Sequence, residues 1–478
     1  MFGLKIKNLG ICLLLIPFLG ACDAPEYLTP YQKFALVQPI QVFETSQLLS
    51  VSNDVYDNNT YGLITASTLE SWRSNWAANR PSTISGRLII FQISGGALSG
   101  SYIRPETGVR VYGITATSAD YTFFGQTRFN GLLDTETIVP EGKNIDAFLK
   151  RFGVNPATDL IVLAQDVPTD GNLMMTLRSW YTLYYWGVER THLAVLNGAV
   201  STKIGASQLT GGSSYTVPTT SGAGTIGSLY RDHTILQATL ADVFNAVQGI
   251  TDPTFEGSTP APAGGSFILD ARSPTEYDGS GSTVGPSNYT CADTPSCYTP
   301  FEGHVKGAKN IWFTNFINAN KEFLPKSDLQ NLLSTNGYAE GQTIIAYCRT
   351  NVRSSITGFA TLAILGYPTR FYDGSWVEWG SLAYDSNGNW SNISAVSSWR
   401  TDRSSVTESI TYNVGKSGID ASNISNLGTY FTPERSFAKG TNDIIDQDKK
   451  YLSGSASSGG GGGGGSSGGG GGGNPCGG

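Results

Sequence analysis

One short segment of this chain combines the residue types needed for covalent chemistry at a cysteine. Cys348 is followed by Arg349 and Arg353, and this loop lies between a buried-strand pattern and an apolar helical pattern. In a sheet of parallel strands, ligands bind where the strands end and the following helices begin. The helix dipole, the N–H groups of the loop and the two arginines would all stabilise a thiolate relative to a thiol. We therefore predict that Cys348 is an activated nucleophile whose surroundings also hold an anion or a persulfide.

The elements that must position this loop occur twice along the chain. The apolar strand patterns at 87–91 and 159–164 in the first copy have counterparts at 267–270 and 342–347 in the second copy. Each copy begins with a short apolar run, a Ser or Thr suited to a helix N-cap and an amphipathic helical pattern. Strands that alternate with helices in this way are typical of parallel sheets covered on both faces. The sequence therefore predicts an α/β fold with two related domains.

The second copy resembles the rhodaneses, a family of sulfurtransferases, over residues 230–390. Four motifs of that family occur here in the same order. They are the strand and turn at 269–277, the Gly-His-Val-Lys-Gly-Ala-Lys-Asn segment at 303–310, the six-residue loop at 348–353 and Tyr-Asp-Gly-Ser-Trp-Val-Glu-Trp at 372–379. The last motif is similar to the corresponding loop of two-domain thiosulfate sulfurtransferases. The resemblance implies two rhodanese-like domains, each built on a doubly wound parallel sheet.

The chemistry of this family implies roles for residues of the second copy. By this resemblance, Cys348 would take the outer sulfur of a small anionic donor such as thiosulfate and hold it as a persulfide. It would then pass that sulfur to a nucleophilic acceptor such as cyanide or a thiol. The residues that would bind the donor are Arg349, Thr350, Asn351, Val352, Arg353 and Trp376. Asp270, Arg272 and His304 would support the loops around the site, and the resemblance implies no cofactor and no metal.

Two residues depart from the family pattern. Asn351 replaces a glycine at a turn that needs an unusual backbone angle, and asparagine is the next most tolerant residue there. Glu276 replaces an arginine that binds the substrate in many thiosulfate sulfurtransferases, which weakens the expectation of thiosulfate or mercaptopyruvate as the donor. The first copy has no cysteine, since none occurs between residues 23 and 290. It is therefore predicted to be a non-catalytic partner that covers one side of the cleft above Cys348.

The composition argues against nucleic acids and zinc as partners. The chain carries a formal net charge of −7 and has no basic cluster, so nucleic-acid binding is not expected. Cys291 and Cys297 lie close together in a Gly-, Ser- and Pro-rich stretch, and in an exported protein they are predicted to form a local disulfide. A metal or redox pair is the alternative. The chain has only 3 histidines and no Cys-x-x-Cys motif, which argues against zinc.

The N-terminus has the pattern of a bacterial lipoprotein signal. Lys5 and Lys7 precede an apolar run at 11–19, which is shorter than the ~20 residues that span a bilayer. Cys22 follows directly after Leu-Gly-Ala, similar to a lipobox, and would carry a lipid anchor. An ordinary signal peptide with a chance cysteine is the alternative. We therefore expect the protein in the cell envelope, anchored to the inner or outer membrane at its periplasmic or cell-surface face.

Changes of composition along the chain indicate the domain boundaries. The predicted order is a signal peptide (1–21), a lipidated tether (22–60), a non-catalytic rhodanese-like domain (61–200), a linker (201–229), a catalytic rhodanese-like domain (230–395), an extended arm (396–452) and a disordered Gly/Ser tail (453–478). The tail is too rich in glycine and serine to bury a core. Its Cys476 would be a mobile sulfur acceptor, a crosslink to a partner or an incidental thiol.

Two other functions also fit the sequence. The rhodanese pair could be a scaffold in a lipid-anchored accessory subunit of a cell-surface respiratory or electron-transfer complex, with 396–452 or Cys476 binding an envelope protein. The cysteine loop could also bind an oxyanion such as selenite, arsenate or phosphate. Its six-residue length favours sulfur, because related phosphatases use a longer loop to admit tetrahedral phosphorus. Sulfur transfer through a persulfide on Cys348 is therefore the preferred interpretation.

Overall fold

The two copies that the sequence predicts are both included in the structure, a computed structural model. The described residues are 39–116, 121–131, 134–211, 224–253, 257–278, 303–380 and 441–454. The signal peptide with Cys22, the pair Cys291 and Cys297, and the glycine tail with Cys476 lie outside these ranges. So does most of the arm predicted at 396–452. Within the described ranges, no helix has the length and apolar character needed to cross a membrane.

The secondary structure alternates between strands and helices through both copies. The strands are β1 (Gln41–Val42), β2 (Gly62–Ile64), β3 (Leu88–Ser94), β4 (Ser101–Ile103), β5 (Val109–Thr115), β6 (Gln126–Phe129), β7 (Asp134–Ile138), β8 (Leu160–Gln165), β9 (Leu193–Leu196), β10 (Leu209–Gly211), β11 (Arg231–Asp232), β12 (Gln237–Ala238), β13 (Ser266–Asp270), β14 (Lys309–Asn310), β15 (Thr343–Tyr347) and β16 (Thr369–Tyr372). The helices are α1 (Ala66–Ser74), α2 (Trp76–Asn79), α3 (Tyr121–Phe124), α4 (Gly142–Phe152), α5 (Asp170–Tyr185), α6 (Val200–Lys203), α7 (Leu240–Gln248), α8 (Pro274–Asp278), α9 (Lys326–Thr335), α10 (Ser354–Phe359), α11 (Ser375–Gly380) and α12 (Asp443–Leu452). Short 3₁₀ turns lie at Thr45–Gln47, Arg190–His192, Ala206–Gln208, Ile226–Leu229, Thr234–Leu236 and Phe313–Phe316, and a π-helical turn lies at Ala360–Ile364.

Two five-stranded sheets form the framework of the described residues. The strand order is β2-β9-β8-β3-β5 in the first sheet and β12-β16-β15-β13-β14 in the second. Neighbouring strands within each of these sheets are parallel. When the strands of each sheet are taken in their order along the chain, equivalent strands occupy equivalent positions in the two sheets. The predicted α/β fold and the predicted internal repeat are therefore confirmed.

The same local signals begin the first helix of each copy. Thr65 caps α1, where its side chain accepts a hydrogen bond from the N–H of Thr68. Thr239 caps α7 by accepting from the N–H of Asp242, whose carboxylate accepts from the N–H of Thr239 in return. These are the side-chain caps that satisfy the free N–H groups of a first helical turn. The central strands are mostly apolar on both faces, and all of β3 is buried, as expected of strands covered by helices.

The two copies pack against each other within one compact unit that begins at Ile40. Helix α5 of the first copy lies against α10, the helix that follows the cysteine loop. The ring of Trp180 on α5 meets Phe359 edge-on, with ring centroids 4.8 Å apart. The ring of Tyr181 lies 4.5 Å from that of Phe371 on β16. Because these aromatic contacts exclude water, polar groups at the boundary must find partners within the protein.

The segments predicted as tether, linker and arm contribute secondary structure within the described residues. The tether contributes β1, which pairs with β11, and the linker predicted at 201–229 contributes β10, which pairs with β4 of the first copy. The end of the arm predicted at 396–452 forms the helix α12 instead of extended chain. Its Asp448 is buried in an ion pair with Arg128, at 2.7 Å. An apolar stripe on this helix, which includes the buried Ile444, accounts for its packing on the first copy.

Candidate functional site

The loop that carries Cys348 lies at the end of the central strand of the second sheet. Cys348 follows the last residue of β15 directly, and α10 begins at Ser354. The helix predicted after the loop is confirmed, and its second half continues as the π-helical turn Ala360–Ile364. Cys348 is a free thiol and is 1% exposed. This is the location at which parallel sheets bind their ligands.

The backbone of the loop presents N–H groups for which the described part of the chain supplies no acceptor. Asn351 has a φ of +58°, the left-handed conformation for which asparagine is the best substitute for glycine. The carbonyl oxygen of Cys348 accepts a hydrogen bond from the N–H of Trp376 at 3.0 Å, which ties the loop to α11. Among the described residues, none accepts a hydrogen bond from the N–H groups of 350–352, although these three residues are buried. Consecutive N–H groups of this kind suit an anion, such as the outer sulfur of a persulfide.

Both arginines of the loop are paired with one carboxylate. Arg353 donates to the two oxygens of Glu276 at 2.6 and 2.7 Å, and Arg349 donates to Oε1 at 2.9 Å. Burial opposes ionisation of Glu276, but the positive charge of Arg353 and then of Arg349 outweighs it and lowers the pKa of this carboxyl well below its usual value. The sequence predicts that both arginines bind the donor. In the structure the carboxylate of Glu276 already offsets one of these two positive charges.

The residues predicted to support the loops form buried contacts beside the site. Asp270 and Arg272 are ion-paired at 2.6 Å, and neither side chain is exposed. The guanidinium group of Arg272 lies 4.6 Å from the centre of the Trp376 ring. His304 stacks on the ring of Tyr277 at 3.6 Å and donates through Nδ1 to its carbonyl oxygen at 2.9 Å. These contacts fix the segments that flank the loop, and the role of Trp376 in donor binding stays a prediction.

The equivalent position of the first copy is filled by its own side chains. Asp166 follows β8 directly, just as Cys348 follows β15. Its carboxylate accepts hydrogen bonds from the side-chain amide of Gln92 at 2.6 Å and from the N–H and hydroxyl of Ser99 at 2.6 and 2.8 Å. Gln92 and Asp166 are both fully buried. A satisfied carboxylate in place of a thiol offers no nucleophile for sulfur, which supports the predicted non-catalytic role.

Two buried carboxylates near the site were not singled out by the sequence pattern. Asp373 accepts hydrogen bonds from Arg178 of the first copy at 2.5 Å and from the Nδ2 of Asn351 at 2.8 Å. Glu378 accepts from the hydroxyl of Thr135, also of the first copy, at 3.3 Å. Both lie in the Tyr-Asp-Gly-Ser-Trp-Val-Glu-Trp motif. The signal that could have revealed them is an acidic residue in an apolar setting, which requires a buried partner.

Glu378 makes the stability of the folded protein depend on pH. Burial raises its pKa to about 7, although hydrogen bonds from Asn130 and Thr135 lower it. A folded-state pKa above the unfolded value gives a stabilising contribution that is complete below the unfolded pKa and is lost as the pH rises through the folded pKa. We predict that the melting temperature falls between about pH 5 and pH 8. Glu378→Gln, which mimics the neutral carboxyl, should flatten this fall.

The control for this measurement is Glu340→Gln, which makes the same change at an exposed glutamate. It should leave the pH dependence of the melting temperature as it is in the wild type. Some slope will remain in Glu378→Gln, because burial also raises the pKa of Asp448, to about 6. An identical slope in Glu378→Gln and in the wild type would contradict the prediction.

Comparison with known proteins finds a family model whose match contains the cysteine loop. Residues 258–382 match the Rhodanese-like domain. The chain is 33% identical over 138 residues to the sulfur carrier protein TtuD of Thermus thermophilus, which is 29% of this chain and 46% of that protein. It is 27% identical over 243 residues to SseB of Mycobacterium tuberculosis, provisionally named a thiosulfate sulfurtransferase, which is 51% of this chain and 71% of that protein.

A solved structure of the anaerobic ergothioneine biosynthesis enzyme from Chlorobium limicola is similar at a TM-score of 0.47 and 17% identity, over 66% of this chain and 68% of that chain. The chain spans less than half the length of TtuD. The family match contains the cysteine loop, Glu276 and the last of the four motifs. Residues 258–382 of the second copy, which carry Cys348 at the end of the central strand, are therefore similar to a rhodanese-like domain.

Proposed function

We propose that this protein is a sulfurtransferase that moves a sulfane sulfur from a small anionic donor, such as thiosulfate, to a nucleophilic acceptor. The carrier would be a persulfide on Cys348. The observation that carries the proposal is a free, buried thiol in a loop whose N–H groups at 350–352 have no acceptor among the described residues. The rhodanese-like domain supports it, and so do the names of TtuD and SseB.

The reaction would proceed through two displacements at sulfur. The thiolate of Cys348 attacks the outer sulfur of thiosulfate, a new S–S bond forms, and sulfite leaves with the electron pair of the bond that breaks. Cyanide or a thiolate then attacks the outer sulfur of the persulfide, and the thiolate of Cys348 leaves. With cyanide the product is thiocyanate, and the two steps consume no further oxidant or reductant. The N–H groups at 350–352 would stabilise the negative outer sulfur between the two steps.

Replacement of the nucleophile gives the first test of this function. Cys348→Ser should abolish sulfur transfer from thiosulfate to cyanide, because a serine hydroxyl cannot form a persulfide. Mass spectrometry of the wild type after incubation with thiosulfate should show one added sulfur atom on the peptide that contains Cys348. Cys476→Ser, which removes a thiol from the tail, is the control and should retain transfer to cyanide. A wild type that takes up no sulfur from any small donor would remove the basis of the proposal.

Glu276 would determine how well an anionic donor competes for the arginines. The carboxylate is paired with Arg353 and Arg349, so a dianion such as thiosulfate meets a loop whose positive charge is partly neutralised. We predict that Glu276→Gln lowers the KM for thiosulfate by about tenfold, the effect of 1.4 kcal/mol in binding. Steady-state kinetics with thiosulfate and cyanide would measure this change.

The control is Glu322→Gln, which removes the same charge from a glutamate paired with Lys203. Its KM should equal that of the wild type. Glu276→Gln should also lower the melting temperature, because Arg353 is buried and loses its charged partner. A KM for thiosulfate that rises in Glu276→Gln would show that the carboxylate assists donor binding instead of opposing it.

We also propose that the protein is held at the cell envelope by a lipid on Cys22. The support is the lipobox-like Leu-Gly-Ala-Cys sequence at the end of the apolar run at 11–19. We predict that Cys22→Ala moves the protein from the membrane fraction to the soluble fraction, since stable anchoring needs the acyl chains. Equal membrane recovery of both proteins would disprove the anchor. Binding of an envelope protein through 396–452 or Cys476 stays a prediction.

A further inference from the structure

An arginine of the first copy ends beside the cysteine loop of the second copy. Arg178 lies on α5 and is fully buried. Its Nε donates to the carbonyl oxygen of Phe124 at 2.8 Å, and its Nη2 donates to the carbonyl oxygen of Thr137 at 2.6 Å. Its Nη1 donates to Oδ1 of Asp373 at 2.5 Å. The guanidinium group is thus oriented by its own copy and directed at a carboxylate of the other.

Asp373 connects this arginine with the loop. Its Oδ1 also accepts a hydrogen bond from Nδ2 of Asn351 at 2.8 Å, and its Oδ2 accepts from the N–H of Val139 at 2.6 Å. Asp373 and Asn351 are fully buried. One carboxylate therefore joins Arg178 of the first copy to Asn351 in the loop, and its charge is balanced by that arginine.

Asn351 in turn determines the shape of the loop. Its φ of +58° lies in the left-handed region, which residues with side chains rarely adopt. Its Oδ1 accepts a hydrogen bond from the hydroxyl of Ser354 at 2.6 Å, and its carbonyl oxygen accepts from the hydroxyl of Ser355 at 2.6 Å. Together with the bond to Asp373, these contacts hold the side chain and the backbone in one arrangement. The N–H groups at 350–352 belong to this residue and its two neighbours.

We propose that Arg178 is a positioning residue for the reaction at Cys348. Through Asp373 it holds Asn351, and so keeps the N–H groups at 350–352 in the arrangement that binds the outer sulfur of the persulfide. The inference rests on the proposed function and names the part that the cysteine-free copy plays in it. A glycine at position 351 would reach the same backbone angle without a link to the first copy. The asparagine makes the loop dependent on Arg178.

Asn351→Gly is the direct test, because it permits the left-handed backbone and removes the hydrogen bond to Asp373. We expect the rate of persulfide formation on Cys348 to fall between about tenfold and a hundredfold, since a loosely held loop misplaces its N–H groups. Asn351→Asp tolerates the same angle but places a second carboxylate beside Asp373, so it should be slower still. A rate for Asn351→Gly within about twofold of the wild type would overturn the proposal.

Arg178→Lys tests the contribution of the first copy. Lysine keeps the charge but lacks the planar fork that serves two carbonyl groups and Asp373 together, so persulfide formation should slow. If both residues act through the same link, adding Asn351→Gly to Arg178→Lys should slow the reaction by less than about twofold more. Effects that multiply in the double variant would show two independent roles and would overturn the inference.

Arg73→Lys is the matched control. Arg73 is another buried arginine of the first copy, and it is paired with Glu70 and Glu106. Its replacement should lower the melting temperature without changing the rate of persulfide formation. If it slows that reaction as much as Arg178→Lys does, the effect of Arg178 is only structural and the proposal fails.

Alkylation of Cys348 by iodoacetamide, followed by mass spectrometry, separates this inference from the proposed function. Alkylation requires the thiolate and needs no sulfur donor. If the wild type is alkylated but takes up no sulfur, the proposed function fails, and slower alkylation of Asn351→Gly still supports positioning. If the wild type transfers sulfur and Asn351→Gly equals it in both assays, positioning is overturned and the function stands. A wild type that does neither overturns both.

Discussion

The buried ion pair between Arg178 and Asp373 links the first copy to the cysteine loop of the second. Removing two charges from water costs several kcal/mol for each ion and is offset only where both are fully hydrogen-bonded. Both ions have such hydrogen bonds. Arg178 donates to two carbonyl groups as well as to Asp373, and Asp373 also accepts from Asn351 and Val139. The aromatic contact of α5 with α10 keeps water away from this boundary. The second copy thus contains the loop, and the first copy contributes Arg178, which contacts the loop through Asp373.

The arginines around the cysteine loop are ion-paired with carboxylates of the protein. The pairs are Arg349 and Arg353 with Glu276, Arg272 with Asp270, and Arg178 with Asp373. Attraction for an anion would therefore come from the one positive charge that Glu276 leaves unbalanced and from the N–H dipoles of 350–352, which act at short range. Short-range contacts inside a buried site are screened by salt much less than exposed charges are. In the first copy a protein carboxylate takes the equivalent position, because Asp166 lies there and accepts hydrogen bonds from Gln92 and Ser99.

The features that could be predicted from the sequence are those whose causes are local. Buried parallel strands leave apolar runs such as 342–347, and a helix cap involves residues that are close along the chain. The left-handed turn at Asn351 could be predicted because the family places glycine there. The pairing of Glu276 with Arg353 joins residues 77 positions apart, and that of Arg178 with Asp373 spans 195 positions. No local pattern reports such contacts, because they form only when the sheets and helices pack.

The burial of Cys348 has a consequence for the lifetime of the sulfur that it would carry. A residue that is 1% exposed meets dissolved thiols and oxidants only when the protein around it moves. Loading and release would then be limited by the frequency of that motion, and between such events the reactive sulfur would be shielded from bulk solvent. The depth of the thiol would thus determine how long a bound sulfur persists before an acceptor reaches it.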